Sequence, residues 1–299
     1  MKKKILILTS DPESINGEII KKSLFFFKKK LNNDYIFIGD LKQTFGNLKT
    51  NEYKIKFINI SKNCSTKIYM KKCFQKAFIL LKTKEAQGLI NLPLNKKNLP
   101  KKYSGFTEYI SNYFNTKGHE TMLLYSRNFS VCPNTIHIPL NQVHLKLKEE
   151  NIIKNIININ NFYKKIIGIN KPYIAIMGLN PHNGIDFYKK TEEEKIIIPA
   201  IKKLKKLNFK ICGPISPDSA FNIIKQKKIN VLVGNYHDQV LPLFKYINKF
   251  KGINITLGLP FLRVSPDHGT GKDIVGKNIA NPESFLYALN FFEKYYKNT

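Results

Sequence analysis

Three histidines give this 299-residue chain its plainest chemical signal: His137, His182 and His237, half of the six it contains. Each stands where an apolar run gives way to a loop carrying Pro, Gly or Asn: His137-Ile138-Pro139-Leu140, Asn180-Pro181-His182-Asn183-Gly184 and Tyr236-His237-Asp238-Gln239. Neutral imidazole is a common ligand for a borderline divalent cation, and three protein ligands leave a coordination position open for substrate. Such a set would serve Lewis-acid chemistry. No H-x-x-x-H or H-x-H pair ties the three together, so by spacing alone each also fits a surface or hydrogen-bonded core histidine. His119 and His144 carry only that plain reading.

Lys245, Asn254 and Arg263 lie on the segments after His237 and supply two fixed positive charges and an amide. An arginine fork with a lysine point charge is a common way to hold phosphate. Arg263 is the more informative cation, because arginine is otherwise present only at Arg127, and it follows the turn Gly258-Leu259-Pro260. Gly269-Thr270-Gly271-Lys272 resembles the end of a Walker loop, but Asp273 replaces the magnesium-binding Ser or Thr. No G-x-G-x-x-G follows the first apolar run, so a bound nucleotide is not held in the usual Rossmann way.

The elements that must position these residues alternate along the chain. Lys4–Thr9, Tyr35–Gly39, Gly88–Leu92, Thr121–Tyr125, Tyr173–Met177, Ile229–Val233 and Ile253–Leu257 read as strands. Helical stretches are expected over Glu18–Leu31, Tyr69–Thr83, Glu149–Ile166, Glu192–Leu207 and Pro282–Tyr296. This alternation predicts an α/β protein with a largely parallel sheet, whose ligands sit beyond the carboxyl ends of the strands. The length allows one large or two medium domains.

A formal charge of +29 would ordinarily point to nucleic acid. Here the lysines are spread from Lys2 to Lys297 alongside abundant Asn and Ile, and no nucleic-acid motif gathers them, so a basic RNA-binding role is disfavoured. The apolar run after Lys2-Lys3-Lys4 stops too soon for a secretory signal, and no run approaches the ~18 apolar residues needed to cross a bilayer. Cys64, Cys73, Cys132 and Cys212 have no metal-finger spacing and read as reduced thiols of a cytoplasmic protein.

Taken in order, the motifs resemble those of the 4-hydroxythreonine-4-phosphate dehydrogenase family, NAD-dependent enzymes of pyridoxal phosphate biosynthesis. The matching stretches are Pro93-Leu94-Asn95-Lys96, His137–Leu140, Gly178–Gly184, Gly213-Pro214 with Asp218, Tyr236–Gln239, and Gly258–Ser265 running into Asp267–Thr270. The resemblance implies that His137, His182 and His237 bind a divalent ion (zinc, magnesium or cobalt). It implies that Thr107, Lys245, Asn254 and Arg263 hold the substrate, and that a homodimer completes the site across its interface. It also implies an isocitrate/isopropylmalate dehydrogenase-like fold of two α/β/α domains with a cleft between them. Residues 1–112 and 264–299 would form the first domain, with the adenosine-binding loop, and 113–263 the second, with the metal ligands and dimer interface. Gly269, Thr270, Asp273 and Asn281 would bind NAD; a carboxylate at Asp273 would repel a 2′-phosphate, favouring NAD over NADP. The plain reading of Asp273 is a helix cap. Asp218 and Lys245 are the expected proton-handling residues, against plain readings as a loop cap and a surface lysine.

Two stretches depart from the family pattern. The glycine-rich first turn is here Ser10-Asp11-Pro12-Glu13-Ser14-Ile15-Asn16-Gly17-Glu18, which alters either the turn or what fits against it. In Ser104-Gly105-Phe106-Thr107-Glu108, Phe106 stands where the family has a phosphate-contacting histidine, and it can neither donate a hydrogen bond nor carry charge. Activity with a raised KM is expected, with lysine or arginine left to compensate. A dehydrogenase of a related phosphorylated hydroxy or sugar acid, or a weakly active ligand-binding homologue, are the alternatives these departures keep open.

Overall fold

The computed structural model describes residues 2–46, 53, 55–103 and 105–296; Ser104 of the Phe106 motif lies outside them. Its strands in chain order are β1 (Lys4–Leu8), β2 (Asp34–Gly39), β3 (Lys56–Asn59), β4 (Gly88–Asn91), β5 (Thr121–Tyr125), β6 (Ser130–Pro133), β7 (Ile174–Met177), β8 (Ile211–Ile215), β9 (Val231–Gly234), β10 (Ile253–Leu257) and β11 (Leu262–Pro266). The helices are α1 (Asn16–Lys22), α2 (Leu41–Phe45), α3 (Thr66–Lys82), α4 (Phe106–Tyr113), α5 (Val143–Lys146), α6 (Glu149–Phe162), α7 (Ile198–Lys206), α8 (Ala220–Lys227), α9 (His237–Asn248) and α10 (Glu283–Tyr295).

The chain divides into two compact units, Met1–Glu120 with Phe250–Thr299, and Thr121–Lys249. Residues 113–120 and 250–263 thus belong with the first unit, whereas the sequence reading grouped them with the second. The sheet gives the reason for the later segment: β10 pairs antiparallel with β11, which pairs parallel with β4.

In the first unit the strands lie in the order β3-β2-β1-β4-β11-β10, all parallel except β10. β1 and β4 are almost wholly buried, which is why they read as unbroken apolar runs rather than alternating ones. α3 covers this sheet with Tyr69, Met70, Cys73, Phe74, Ala77, Phe78 and Leu81, a stripe at helical spacing. The expected helix over 18–31 breaks early. Ser23 donates its hydroxyl back to the Ile19 carbonyl, and the chain tightens into a 3-10 turn that buries Leu24, Phe26 and Phe27.

The second unit has the order β5-β6-β9-β7-β8, parallel except for β5. The Asn/Ile-rich stretch is helix α6, whose Ile152, Ile156, Ile159 and Phe162 are buried. Buried Asn155 is matched on both ends of its amide: it accepts from the Thr121 hydroxyl at 2.7 Å and donates to Asn134 Oδ1 at 3.1 Å. Before α7 the chain widens into a π turn over Glu193–Ile197, ahead of Pro199, which lacks an N–H to continue the ladder.

That widened turn buries Glu193, which is 1% exposed, beneath the loop after β7. Its carboxylate accepts from Leu179 N at 2.7 Å, Asn180 N at 2.8 Å and Asn180 Nδ2 at 2.9 Å. Burial pushes the carboxyl up, and the Asn180 bonds more than offset it, leaving it below the ordinary value. Gly178 lets the loop close: a Cβ there would lie 2.4 Å from Asn183 Oδ1. Because the folded-state value is depressed, Glu193 adds stability that is present above the unfolded carboxyl value and lost as pH falls through the folded one. Glu193→Gln is therefore expected to cost about 1–3 kcal/mol near neutral pH, a gap that narrows on acidification, as checked by melting temperature against pH.

Candidate active site

The second unit carries all three histidines, and one asparagine ties their segments together. Asn235, fully buried after β9, donates its amide to the Met177 carbonyl at the end of β7 (3.0 Å). It accepts from Asn134 Nδ2 at 3.2 Å through Oδ1 and from the Thr135 hydroxyl at 2.7 Å through its backbone carbonyl. Gln239 closes the circuit, accepting from Asn235 N at 2.6 Å and donating to the Gly178 carbonyl at 2.8 Å. The roots of the loops to His137, His182 and His237 are thereby pinned by a satisfied polar network.

His137 and His182 both adopt left-handed backbone, at φ 54° and 50°, a region few non-glycine residues occupy, with Asn, Asp and His over-represented among those that do. Backbone held this way clusters at functional sites, where surrounding structure enforces it. The His137 and His237 ring centroids are 5.8 Å apart. Two imidazoles bound tetrahedrally to one ion at about 2.0–2.1 Å place their centroids roughly 5 Å apart, so this pair fits a shared metal. Nδ1 of His237 bonds the Asp238 carboxylate at 2.6 Å, and Nδ1 of His182 bonds Asp186 at 2.6 Å, so in each ring Nε2 is the nitrogen not engaged by the carboxylate. The Asp186 bond also raises the His182 pKa, with a smaller contribution from the Asp218 charge. Among the described residues no three His, Cys, Asp or Glu side chains converge on one point. One chain therefore brings together His137 and His237 and leaves His182 with Asp186.

Asp218 lies on the turn before α8, where hydrogen bonding to Ser216 holds its carboxyl below the ordinary value despite some desolvation. Lys245 is exposed on α9, about two turns beyond His237.

The first unit holds the anion chemistry. Arg263, on β11, is 4% exposed. Its guanidinium donates Nε–H to Asn91 Oδ1 and Nη1–H to the hydroxyls of Thr107 (3.0 Å) and Thr256, and lies 5.5 Å from the Phe106 ring centroid. Every one of these partners is neutral, and burial lowers its pKa to about 10. A buried cation without a carboxylate is costly, and a bound anion would balance it. Asn254, two residues before Thr256 on β10, has a buried Oδ1 without a hydrogen-bond partner among the described residues. Phe106 is packed as core: its ring meets Phe74 at 5.0 Å and Phe78 at 6.2 Å.

The altered first turn is closed by side chains in place of glycines. Asp11 accepts from Glu13 N and Asn95 N, Ser14 donates to the Asp11 carbonyl, and Asn16 donates to the Pro93 carbonyl. Ile15 N then bonds the Thr270 carbonyl at 3.0 Å, joining this turn to the 268–277 loop. Beside it is a cavity of about 320 Å³ lined by Asp11, Ser14, Asn16, Thr44, Val275 and Asn278, and the Asn16 Oδ1 is buried without a partner. Its volume is at the small end of ligand sites of about 300–1,000 Å³, large enough for a nucleoside. Gly269, Thr270, Asp273 and Asn281 do not line it, and Asn281 instead caps α10 by accepting from Glu283 N at 2.8 Å. Sequence reading did not single out Asn235, Asn91, Thr256 or Asn16; isolated polar residues beside apolar runs give no spacing signal.

The chain is similar to known proteins along most of its length. Residues 13–292 match the family described as pyridoxal phosphate biosynthetic protein PdxA. The 4-hydroxythreonine-4-phosphate dehydrogenase of Sulfurihydrogenibium sp. is 36% identical, over 96% of this chain and 96% of its own. The crystal structure of the Klebsiella pneumoniae enzyme of that name superposes with a TM-score of 0.81 at 26% identity, covering 97% of this chain and 98% of that one. Isocitrate dehydrogenase from Methylococcus capsulatus shares the fold, with a TM-score of 0.52 at 10% identity, covering 97% and 85%. By motif order, fold and full-length similarity, the chain belongs to the PdxA family of pyridoxal phosphate biosynthesis, an oxidoreductase family of isocitrate dehydrogenase-like α/β fold.

Proposed function

We propose that this chain oxidises 4-phosphohydroxy-L-threonine with NAD to 2-amino-3-oxo-4-(phosphooxy)butanoate, which loses CO₂ to give 3-amino-2-oxopropyl phosphate, on the route to pyridoxine 5′-phosphate. The observation that carries this reading is Arg263, a buried cation whose hydrogen-bond partners are all neutral. A substrate phosphate meets its need for an anion, with Thr107, Asn254 and Lys245 as further contacts.

His137, His182 and His237 would supply imidazole nitrogens to one divalent ion: zinc, magnesium or cobalt. Bound there, the ion would lower the pKa of the substrate hydroxyl and polarise the developing carbonyl, while NAD would accept the hydride. Asp218, kept ionised by its hydrogen bonds, and Lys245 are the groups assigned to accept and relay the hydroxyl proton. The cavity at the first turn suits the adenosine end of the dinucleotide, next to the loop bearing Gly269, Thr270 and Asp273.

The three histidine segments share a further property that supports assembly of two chains. Leu140 follows His137 and is 70% exposed, Ile185 follows His182 and is 80% exposed, and Tyr246 on the His237 helix is 80% exposed. Large apolar side chains around each ligand favour a homodimer that covers them and completes the ligand set. No helix among the described residues is long and apolar enough to cross a membrane, and we assign the enzyme to the cytoplasm.

Purified protein with NAD and 4-phosphohydroxythreonine is expected to produce NADH, to stop when a chelator is added, and to restart with excess zinc, magnesium or cobalt. No NADH at any substrate concentration in metal-loaded protein would exclude the assignment. Light scattering should report a dimer, and Tyr246→Glu should shift it toward monomer with loss of turnover. Arg263→Met relieves a buried charge but leaves Asn91 and Thr256 without their donor, so the informative comparison is ligand dependence: added phosphate is expected to raise the melting temperature of the wild type and not of the variant.

A further inference from the structure

We infer that Lys96 is a phosphate-binding residue of this enzyme, taking up the contact that Phe106 cannot make. The inference rests on the reading above, that the substrate carries a phosphate held at Arg263 and Thr107. With its ring packed on Phe74 and Phe78, Phe106 offers an anion nothing but backbone. Arg263 is already committed through Nε to Asn91 and through Nη1 to Thr107 and Thr256. Within the first unit, one arginine nitrogen and neutral groups are a sparse setting for a dianion.

Lys96 lies against the first residue of the same short segment. A Cβ at Gly105 would lie 3.8 Å from Lys96 Cε and 4.0 Å from its Nζ, which places the ammonium beside the start of α4. Two residues on, the Thr107 hydroxyl bonds Arg263. Gly105-Phe106-Thr107 is thus flanked by Lys96 at one end and Arg263 at the other. The Lys96 ammonium has no carboxylate partner and no hydrogen bond among the described residues, so its charge is available. Its place is fixed from below. Asp11 accepts from Asn95 N at 2.6 Å, and Asn95 Oδ1 accepts from Lys97 N at 3.1 Å, shaping the 3-10 turn Lys96–Asn98. The altered first turn, through Asp11, therefore supports the segment that carries Lys96.

The test is phosphorus NMR titration of the folded dimer with inorganic phosphate, alongside steady-state kinetics with 4-phosphohydroxythreonine. Lys96→Ala should weaken phosphate binding roughly tenfold and raise KM by a similar factor with kcat little changed, as expected for loss of one charge-assisted contact. Lys96→Arg should recover most of both, and Lys97→Ala, removing a neighbouring exposed charge, should change neither by more than about twofold. Lys96→Ala binding phosphate within twofold of wild type, or Lys97→Ala losing as much as Lys96→Ala, would overturn the inference while leaving the proposed function standing. Wild-type protein that binds no phosphate and turns over no phosphorylated substrate would overturn both.

Discussion

A buried guanidinium with only neutral partners is the constraint around which the first unit is built. Arg263 is one residue into a strand that lies between β4 and β10, and both neighbours give it polar side chains: Asn91 from β4 and Thr256 from β10. α4 adds Thr107 and the face of Phe106. These contacts fix the orientation of the fork without neutralising it, since amides and hydroxyls satisfy hydrogen bonds but carry no charge. The free protein therefore holds a desolvated positive charge, ready for an anion. Stabilisation deferred in this way would reappear on binding of an anion.

In the second unit a buried amide is the keystone of the segments that carry the three histidines. Asn235 reaches the end of β7 and the residues after β6 at once. His137 and His182 sit in sparsely populated left-handed backbone, which such bracing from the surrounding structure holds in place. Asp186 and Asp238 set the ring orientation of His182 and His237 from the exposed side, so each loop is held at its root by Asn235 and at its tip by a carboxylate.

Much of this was legible in the sequence. Strands β1, β2, β4, β5, β7, β9 and β10 announced themselves as apolar runs because strands buried largely on both faces, parallel or not, leave little polar alternation. β3, β6, β8 and β11 did not. β6 and β11 end in proline, β8 contains Gly213-Pro214, and β3 at the sheet edge carries a lysine. The histidines and Arg263 could be nominated by residue type, but not joined. Their grouping depends on polar residues such as Asn235 and Thr256, whose partners lie tens of residues away in sequence. Phe106 was visible as a departure from the family pattern. Its consequence was not, since only the packed structure shows its ring taken into the core and Lys96 beside the vacated contact.

The account stands on the claim that substrate phosphate is what balances Arg263. The measurement that addresses it most directly is the ratio of kcat/KM for 4-phosphohydroxythreonine over unphosphorylated 4-hydroxythreonine, in wild type and in Arg263→Met. If phosphate is the missing counter-charge, the ratio should fall roughly a hundredfold or more in the variant, because the loss falls on the phosphorylated substrate alone. Equal losses for both substrates, leaving the ratio unchanged, would contradict the claim and make Arg263 a structural residue.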